Sequence, residues 1–235
     1  MVRIGAFRKT SLVDWQGKIV STIFTIGCNF RCFWCHNQDL VFGRVREIPE
    51  EIILKKLKKN KWIDGVCITG GEPTIQKDLE TFLSRISELG LPVKLDTNGT
   101  HPEILQSLIR KKLVQFIAMD IKAPPEKYPL LTGTKSPPLN KIKKSISLIM
   151  NSGIDYEFRT TMVPGYLSPI DIENIAKMIP NAQKYAIQAY IPVPSYPLQQ
   201  TMEELKRAAA VARKYVKRVV ILNILGHSPK KLSRL

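Results

Sequence analysis

The sequence predicts an α/β fold: a single-domain partial (β/α)6-type TIM barrel with mostly parallel strands. Apolar, β-branched runs alternate with amphipathic helical patterns along the whole chain of 235 residues. Strands that alternate with helices of about 10–15 residues are typical of parallel βαβ units. About six such units favour a barrel over an open sheet, and no linker is rich enough in Gly, Pro or Ser to divide the chain.

The strands are predicted from short apolar runs. In chain order these are KIVSTIFTI (18–26), GVCIT (65–69), PVKLD (92–96), QFIAMDI (115–121), IDYEFRTTM (154–162), KYAIQA (184–189) and KRVVILNI (217–224). The helices between them are PEEIILKKLKKN, IQKDLETFLSRISEL, HPEILQSLIRKK, LNKIKKSISLIMNS, PIDIENIAKMI and TMEELKRAAAVARKY. Several begin with proline or a capping polar residue followed by acidic residues, as helices commonly do.

Two long loops and one domain complete the prediction. The first loop is bracketed by Pro124, Pro125, Pro137 and Pro138, and the second covers IPVPSYP (191–197). We expect one domain over 1–235, with its core at about 18–190 and a basic C-terminal helix and strand over 201–235.

The charge is strongly basic, with 36 Lys and Arg against 20 Asp and Glu, a formal net charge of +16. Most basic runs have helical spacing, so we interpret them as solvated helix faces. A nucleic-acid surface interleaves aromatic residues with basic ones, and these runs carry little beyond Trp62 and Tyr215. Nucleic acid is therefore not an expected partner, whereas the basic region after position 200 is a candidate docking surface for an acidic protein.

The cellular location is predicted from two kinds of segment that are not found in the sequence. No run of about 18 apolar residues is present, so no transmembrane helix is expected. The first residues, MVRIGAFRKTSLVDWQGK, are polar where an export signal needs an apolar segment. We therefore expect a cytoplasmic protein that does not interact with membranes.

Three of the four cysteines, Cys28, Cys32 and Cys35, fall in one loop with Cx3CxxC spacing. Thiolates crowded in this way repel one another unless a cation or a metal cluster compensates, so a metal site is expected. Zinc would use these residues with His36, but structural zinc usually takes two separated pairs of ligands. Cys32 to His36 also reads CxxCH, a haem attachment sequence, and Cys32 with Cys35 could form a redox dithiol.

An iron–sulfur cluster accounts for all three thiols, whereas haem and the dithiol each leave Cys28 unexplained. A cubane cluster with three cysteines has one iron without a protein ligand, and a substrate or cofactor can coordinate there. Cys67 lies in the apolar run GVCIT and is expected to be a buried structural thiol.

The loop CNFRCFWC resembles the Cx3CxΦC signature of the radical S-adenosylmethionine (SAM) enzymes, with Trp34 as the aromatic residue. TGGEPT (69–74) is similar to the GGE motif of that superfamily. More narrowly, the chain resembles the glycyl-radical-enzyme activating enzymes. The matching segments are KTSLVDWQGK (9–18), FTIGCNFRCFWCHN (24–37), KLDTNGT (94–100), AMDIKAP (118–124), LTGT (131–134) and FRTTMVPG (158–165).

The resemblance implies a [4Fe-4S] cluster whose open iron binds the amino and carboxylate groups of SAM. One electron then cleaves SAM to methionine and a 5′-deoxyadenosyl radical, which abstracts hydrogen from a backbone glycine of a partner enzyme. The compact chain looks closest to activators of anaerobic ribonucleotide reductase, with activators of pyruvate formate-lyase as the alternative. A flavodoxin or ferredoxin is the implied electron donor.

The resemblance also assigns roles to individual residues. Cys28, Cys32 and Cys35 become cluster ligands. The cofactor-binding candidates are Trp34, His36, Gly70, Gly71, Glu72, Asp96, Asp120, Lys122, Arg159 and Gln188. Among them, Glu72 would take the ammonium group of SAM, and Lys122 would pair with its carboxylate.

Several of these candidates also have a structural interpretation. Asp96 and Asp120 would help to hold the cofactor, with a monovalent cation as a further candidate, or would instead cap helices or turns. Arg159 lies in an apolar strand and either contacts the cofactor or forms an ion pair, and Trp34 either walls the adenosine or packs. Gln188 stands where activators of pyruvate formate-lyase tend to have histidine, which argues against that partner.

Two other functions remain open on the sequence. One is a radical SAM enzyme that acts on a small molecule, such as a deazapurine-type synthase. The other is a non-enzymatic metal-binding module that docks on nucleic acid, which leaves GGEP, DTNG and DIK without a role.

Overall fold

The structure, a computed structural model, describes residues 1–223. Its strands are β1 (Ile4–Ser11), β2 (Val20–Thr25), β3 (Gly65–Gly70), β4 (Val93–Thr97), β5 (Phe116–Asp120), β6 (Asp155–Met162), β7 (Tyr185–Ala189) and β8 (Val219–Leu222). Its α-helices are α1 (Gln38–Val41), α2 (Glu50–Lys59), α3 (Leu79–Ser87), α4 (Pro102–Arg110), α5 (Tyr128–Thr132), α6 (Leu139–Met150), α7 (Pro169–Met178) and α8 (Met202–Ala212).

The eight strands form one sheet whose spatial order is the order of the chain, from β1 to β8. β1 pairs antiparallel with β2, and every later pair is parallel. This confirms the α/β fold with mostly parallel strands. The predicted six-stranded core corresponds to β2–β7, with one further strand on each side of it.

All seven predicted strands and all six predicted helices are present, with bounds shifted by a few residues. β1 was not predicted, because IGAFRKTS mixes charged and apolar residues and has only three buried positions of eight. The predicted loop between Pro124 and Pro138 is wrong in part, since it contains α5 and a short 3₁₀ turn, Pro125–Lys127. The loop over 191–197 is confirmed, with one β-bridge between Val193 and Tyr196.

Both faces of the parallel sheet are covered, so the strands are apolar and largely buried. All six residues of β2 are buried. The helices bury one face each; α3, for example, buries Leu79, Phe82, Leu83 and Ile86. α7 and α8 begin with capping boxes, Ser168 with Asp171 and Thr201 with Glu204, which explains the sharp helix starts expected from the sequence.

The segment between β1 and β2 covers the amino-terminal end of the barrel. Trp15 is buried there against Val20 and Cys67, with its ring centroid 5.9 Å from that of Phe116. At the same end the Lys184 Nζ donates a hydrogen bond of 2.9 Å to Gln16 Oε1. Cys67 is fully buried, as predicted. The functional residues are therefore gathered at the opposite end.

Two predictions concern the C-terminal region. β8 ends at Leu222, and the last predicted strand residue and the basic residues Lys230, Lys231 and Arg234 lie outside the described residues. A single domain over 1–235 therefore stays a prediction. No helix among residues 1–223 combines the length and apolar character that crossing a membrane requires.

Candidate active site

One cavity of about 260 Å³ lies at the carboxyl ends of the parallel strands, where α/β barrels place their chemistry. All the predicted site residues line it. They are Cys28, Cys32, Trp34, Cys35, His36, Gly70, Gly71, Glu72, Asp96, Asp120, Lys122, Arg159 and Gln188. Residues at the ends of six consecutive strands, β2–β7, therefore meet at one site, as expected from their positions in the sequence.

The cysteine loop joins β2 to α1 and is held by backbone hydrogen bonds. The Cys35 N–H donates to Cys32 O at 3.1 Å, and the Arg31 N–H donates to Thr132 O at 2.7 Å. The sulfur atoms also accept backbone hydrogen bonds, Cys28 Sγ from Phe30 N and Cys35 Sγ from Asn37 N, both at 3.4 Å. Such N–H donors orient thiolate ligands and tune an iron–sulfur centre.

The three thiols are free and half-buried. Burial raises the pKa of Cys28 to about 11 and that of Cys32 to about 12. Burial also raises the pKa of Cys35. Three half-buried thiols that face one cavity are favoured as thiolates by a partner that carries positive charge and by hydrogen bonds to sulfur.

The donor set fits a cluster with three protein ligands. No group of three or more His, Cys, Asp or Glu among residues 1–223 is arranged to hold a metal ion as the chain stands. The thiols instead surround a common cavity, together with sulfur-directed N–H groups and cationic side chains. Sulfur ligation of this kind is what iron–sulfur clusters require.

Gly70 and Gly71 are explained by contact between two backbones. Gly70 has a φ of +113°, and a Cβ on it would overlap the Thr25 backbone. A Cβ on Gly71 would overlap the carbonyl oxygen of Gly27. The Gly71 N–H donates to Thr25 O at 2.9 Å, and the Glu72 N–H donates to Gly27 O at 2.8 Å. The glycines therefore let the loop after β3 pack directly on the cysteine loop.

Glu72 is almost fully buried and joins two loops of the site. Its Oε1 accepts hydrogen bonds from Thr74 N at 3.0 Å, Thr74 Oγ1 at 2.6 Å and Thr97 Oγ1 at 2.7 Å. Its Oε2 accepts one bond, from Asn98 N at 2.6 Å. Oε1 is therefore crowded by three donors, whereas Oε2 accepts a single bond and has a lone pair for one more donor. Glu72 is thus structural and still able to accept a hydrogen bond from a ligand amino group.

Arg159 on β6 bridges the two predicted aspartates. Its Nε donates to Asp120 Oδ1 at 2.7 Å and its Nη1 to Asp96 Oδ2 at 3.1 Å. Lys122 Nζ lies 2.8 Å from Asp120 Oδ2, and Lys94 Nζ lies 2.5 Å from Asp96 Oδ1. Three cationic and two anionic groups from three adjacent strands therefore form one buried network.

The electrostatic balance of this network keeps its groups ionised. Burial by itself would raise the pKa of Asp120, but the charges of Arg159 and Lys122 hold that pKa well below its ordinary value. Burial likewise opposes the charged form of Lys122, and Asp120 raises its pKa above the ordinary value. The network carries one more positive than negative charge, which suits a cofactor carboxylate.

Trp34, His36 and Gln188 differ in their exposure and in the hydrogen bonds they already make, and therefore in how available they are to a ligand. Trp34 is only 6% exposed and donates from Nε1 to Leu131 O at 3.1 Å, so packing accounts for much of its role. His36 is exposed at the rim, and partial burial lowers its pKa. Gln188 Oε1 accepts a long 3.4 Å bond from Thr161 Oγ1.

Further lining residues were not predicted, among them Thr97, Asn98, Thr161, Ile191 and Asn223. Asn98 is the most connected of them. Its Nδ2 donates to Asn29 Oδ1 at 2.8 Å, beside Cys28, and its backbone N–H binds Glu72. The signal that could have found Asn98 is its position in DTNG at the end of β4.

Comparison with known proteins identifies the family. The sequence model of the Radical SAM superfamily matches residues 22–179. A Methanocaldococcus jannaschii protein, provisionally named a glycyl-radical enzyme activating enzyme, is 37% identical over 227 residues, 92% of this chain and 94% of that protein. The pyruvate formate-lyase-activating enzyme of Clostridium pasteurianum is 29% identical over 206 residues, 81% of this chain and 82% of that enzyme.

Solved structures share the fold. The structure of TYW1 with a lysine-pyruvate adduct bound matches with a TM-score of 0.63 over 83% of this chain and 73% of that chain, at 15% identity. The chain belongs to the radical SAM superfamily. Within it, the match over nearly the full length of the M. jannaschii relative groups it with the glycyl-radical enzyme activating enzymes. The superfamily implies a [4Fe-4S] cluster and SAM.

Proposed function

We propose that this protein activates anaerobic ribonucleotide reductase by forming a radical on a backbone glycine of that enzyme. The observation that carries the proposal is the meeting of three free cysteines with the Asp96–Arg159–Asp120–Lys122 network at one cavity. A [4Fe-4S] cluster held there by Cys28, Cys32 and Cys35 would supply the electron that cleaves SAM to methionine and a 5′-deoxyadenosyl radical, and that radical would take hydrogen from the glycine.

The residues of this chain bind and orient the reacting groups. Cys28, Cys32 and Cys35 hold the cluster through their thiolates. The free acceptor position of Glu72 Oε2 takes a hydrogen bond from the amino group of SAM, and Lys122 together with Arg159 attracts its carboxylate. Because these charges are fixed by neighbouring strands, little reorganisation is needed when the cofactor binds.

The monovalent cation finds weaker support. Both oxygens of Asp96 and both oxygens of Asp120 already face cationic side chains. A cation would have to displace Lys94, Lys122 or Arg159 to reach them. We therefore propose that the Arg159 guanidinium fills this position and that activity does not require an added monovalent cation.

The choice of ribonucleotide reductase rests on the compact chain and on Gln188 in place of a histidine. The M. jannaschii relative aligns over almost its whole length, which supports the activating function and leaves the partner open. The likeness to the enzyme of C. pasteurianum keeps pyruvate formate-lyase as the second candidate. The free cysteines support a cytoplasmic location, where thiols stay reduced.

The test begins with anaerobically reconstituted protein, dithionite and SAM, with 5′-deoxyadenosine as the product measured. We expect product from the native chain and from Cys67→Ala, and none from Cys32→Ala, which loses a cluster ligand. Purified anaerobic ribonucleotide reductase or pyruvate formate-lyase is then added, and electron paramagnetic resonance detects the glycyl radical. Zinc or haem in place of iron, with no product, would overturn the proposal. A glycyl radical that forms only in pyruvate formate-lyase would show that the lyase, and not ribonucleotide reductase, is the partner enzyme.

A further inference from the structure

We propose that the surface formed by the cysteine loop and the segment that follows α1 is the docking surface for an acidic, one-electron donor protein of the flavodoxin or ferredoxin kind. The surface consists of Phe42 and the arginines around it, Arg31 and Arg44, with Arg46 and Arg3 nearby, and is called the arginine–phenylalanine patch below. The inference rests on the proposed function, because that function requires one electron for each SAM cleaved.

The centre of the patch is an aromatic ring between two guanidinium groups. The Phe42 ring is 49% exposed although it follows directly on a buried residue of the site, Val41. The guanidinium carbon of Arg31 lies 5.2 Å from the ring centroid, and that of Arg44 lies 4.9 Å from it. Arginine and aromatic residues are enriched at protein interfaces, where both bury well.

The patch is connected to the cluster ligands by short contacts. Arg31 lies in the cysteine loop between Cys28 and Cys32. Its Nη1 donates hydrogen bonds to Cys28 O and to Phe30 O, the latter at 2.8 Å. The Phe42 ring is thus one guanidinium group away from the backbone of a cysteine ligand, so a donor seated on the ring is close to the cluster.

The positive charge of the arginine–phenylalanine patch favours an acidic protein partner. Arg31, Arg44 and Arg46 are exposed, and the carboxylates on the adjoining segment are Asp39 and Glu47. Glu47 is already paired with Arg3, whose Nε lies 2.7 Å from Glu47 Oε1. The remaining charge is positive, and a basic surface accelerates the encounter with an acidic protein by about 10- to 1000-fold.

A second exposed aromatic residue provides a contrast and a control. Trp62 is 83% exposed beside the exposed Lys61, in the loop before β3. That loop lies at the amino-terminal end of the barrel, away from the cysteine loop. A donor bound there would be separated from the cluster by the length of the strands, so of these two surfaces the arginine–phenylalanine patch is the one that suits electron delivery.

The electron balance of the proposed step is simple. A fully reduced flavodoxin loses one electron and becomes the semiquinone, and the protein gains that electron, which is used to cleave one SAM. Dithionite supplies the same electron without a protein interface. Comparing the two reductants therefore separates docking from chemistry.

The experiment measures 5′-deoxyadenosine formation by reconstituted protein with dithionite or with reduced flavodoxin. We expect Arg44→Glu to lower the flavodoxin-supported rate about tenfold at low ionic strength, an effect of the size steering produces, and Phe42→Ser to lower it as well. Arg44→Lys retains the rate. High salt removes the difference, because exposed charges are screened within about 8–10 Å at moderate ionic strength. The dithionite-supported rate stays unchanged in all three variants.

The matched controls are Lys61→Glu and Trp62→Ser, which leave both rates unchanged. Equal flavodoxin-supported rates for Arg44→Glu and the native protein would overturn the inference, and so would an equal loss with both reductants. If Arg44→Glu instead weakens only glycyl-radical formation with dithionite, the patch binds the partner enzyme and the donor assignment is wrong. If the native protein forms no product with dithionite, the proposed function fails first and this inference fails with it.

Discussion

Gly71 lies so close to Gly27 that any side chain on Gly71 would overlap the carbonyl oxygen of Gly27. This contact joins the loop after β3 to the cysteine loop, backbone against backbone. The cysteine ligands and the GGE segment therefore form one structural unit, in which neither loop can shift without the other.

Gly71→Ala should accordingly loosen the cysteine loop. Overpacking of a close contact costs about 1–3 kcal/mol, and here the contact is with backbone, which cannot rotate away. We expect a lower free energy of unfolding in urea and a reduced iron content after reconstitution. The control is Gly90→Ala, at a φ of +74° with nothing within 4 Å. It should lose some stability from backbone strain and bind iron normally; equal iron content in both variants would contradict the interpretation.

Arg159→Met should destabilise the protein strongly. The side chain is only 12% exposed, and its loss leaves Asp96 and Asp120 with less compensation in the barrel. Removing one partner of a buried ion pair costs about 3–5 kcal/mol. Urea unfolding measures the effect, with Arg207→Met, an exposed helix pair with Glu203, as the control that should change little. Arg159→Lys should be intermediate, because one ammonium cannot bridge both carboxylates; identical stability of Arg159→Met and the native chain would refute the structural role.

Asp171 should make the free energy of unfolding depend on pH in the acid range. Burial would raise its pKa, but bonds from Lys127 and Ser168 lower it below the ordinary value. A carboxyl whose pKa is lower in the folded state stabilises the protein above its unfolded pKa of about 3.9, and the contribution is lost as the pH falls through the folded value. Asp171→Asn should therefore lower the melting temperature at pH 7, and its difference from the native chain should shrink as the pH falls below about 3.9 and through the folded pKa. Asp155→Asn, at an exposed position, is the control.

The basic face of α8 should affect the partner enzyme and leave SAM cleavage alone. Lys206 and Arg213 are exposed on α8 and its C-cap. Reversing both charges to Glu should slow glycyl-radical formation in the reductase about tenfold at low salt, as loss of steering does. The rate of 5′-deoxyadenosine formation with dithionite should not change. Radical formation that is insensitive both to the reversal and to salt would rule out this surface.

The sequence predicts the parallel core well because hydrophobic periodicity and residue composition indicate the same strands and helices there. Each of β3–β7 is an apolar run between helices with clear start signals, β2 is a buried run ahead of the cysteine loop, and the sheet simply follows chain order. β1 escapes prediction since this edge strand carries charged residues such as Arg8 and Lys9 among its apolar ones. α5 escapes because its five residues are too few for a periodic pattern.

The site, like the fold, is predicted from the sequence only in part. Residue types and strand-end positions bring all the predicted residues to one cavity, whereas their hydrogen-bond partners depend on distances between strands. The sequence therefore indicates Asp96, Asp120 and Arg159 as site residues without revealing that Arg159 bridges the two carboxylates. Lys94 was not singled out at all, because a lysine within an apolar strand becomes informative only when its neighbours are known.

The order of the strands also determines when each part of the site is synthesised. Because each strand pairs with its predecessor, the sheet can grow as the chain leaves the ribosome. The three cysteines emerge with β2, long before Arg159 on β6 arrives to complete the network. At about 10 residues per second the interval is roughly ten seconds. During that time the nascent thiols are uncovered, so oxidants reach them most easily before the protein is finished.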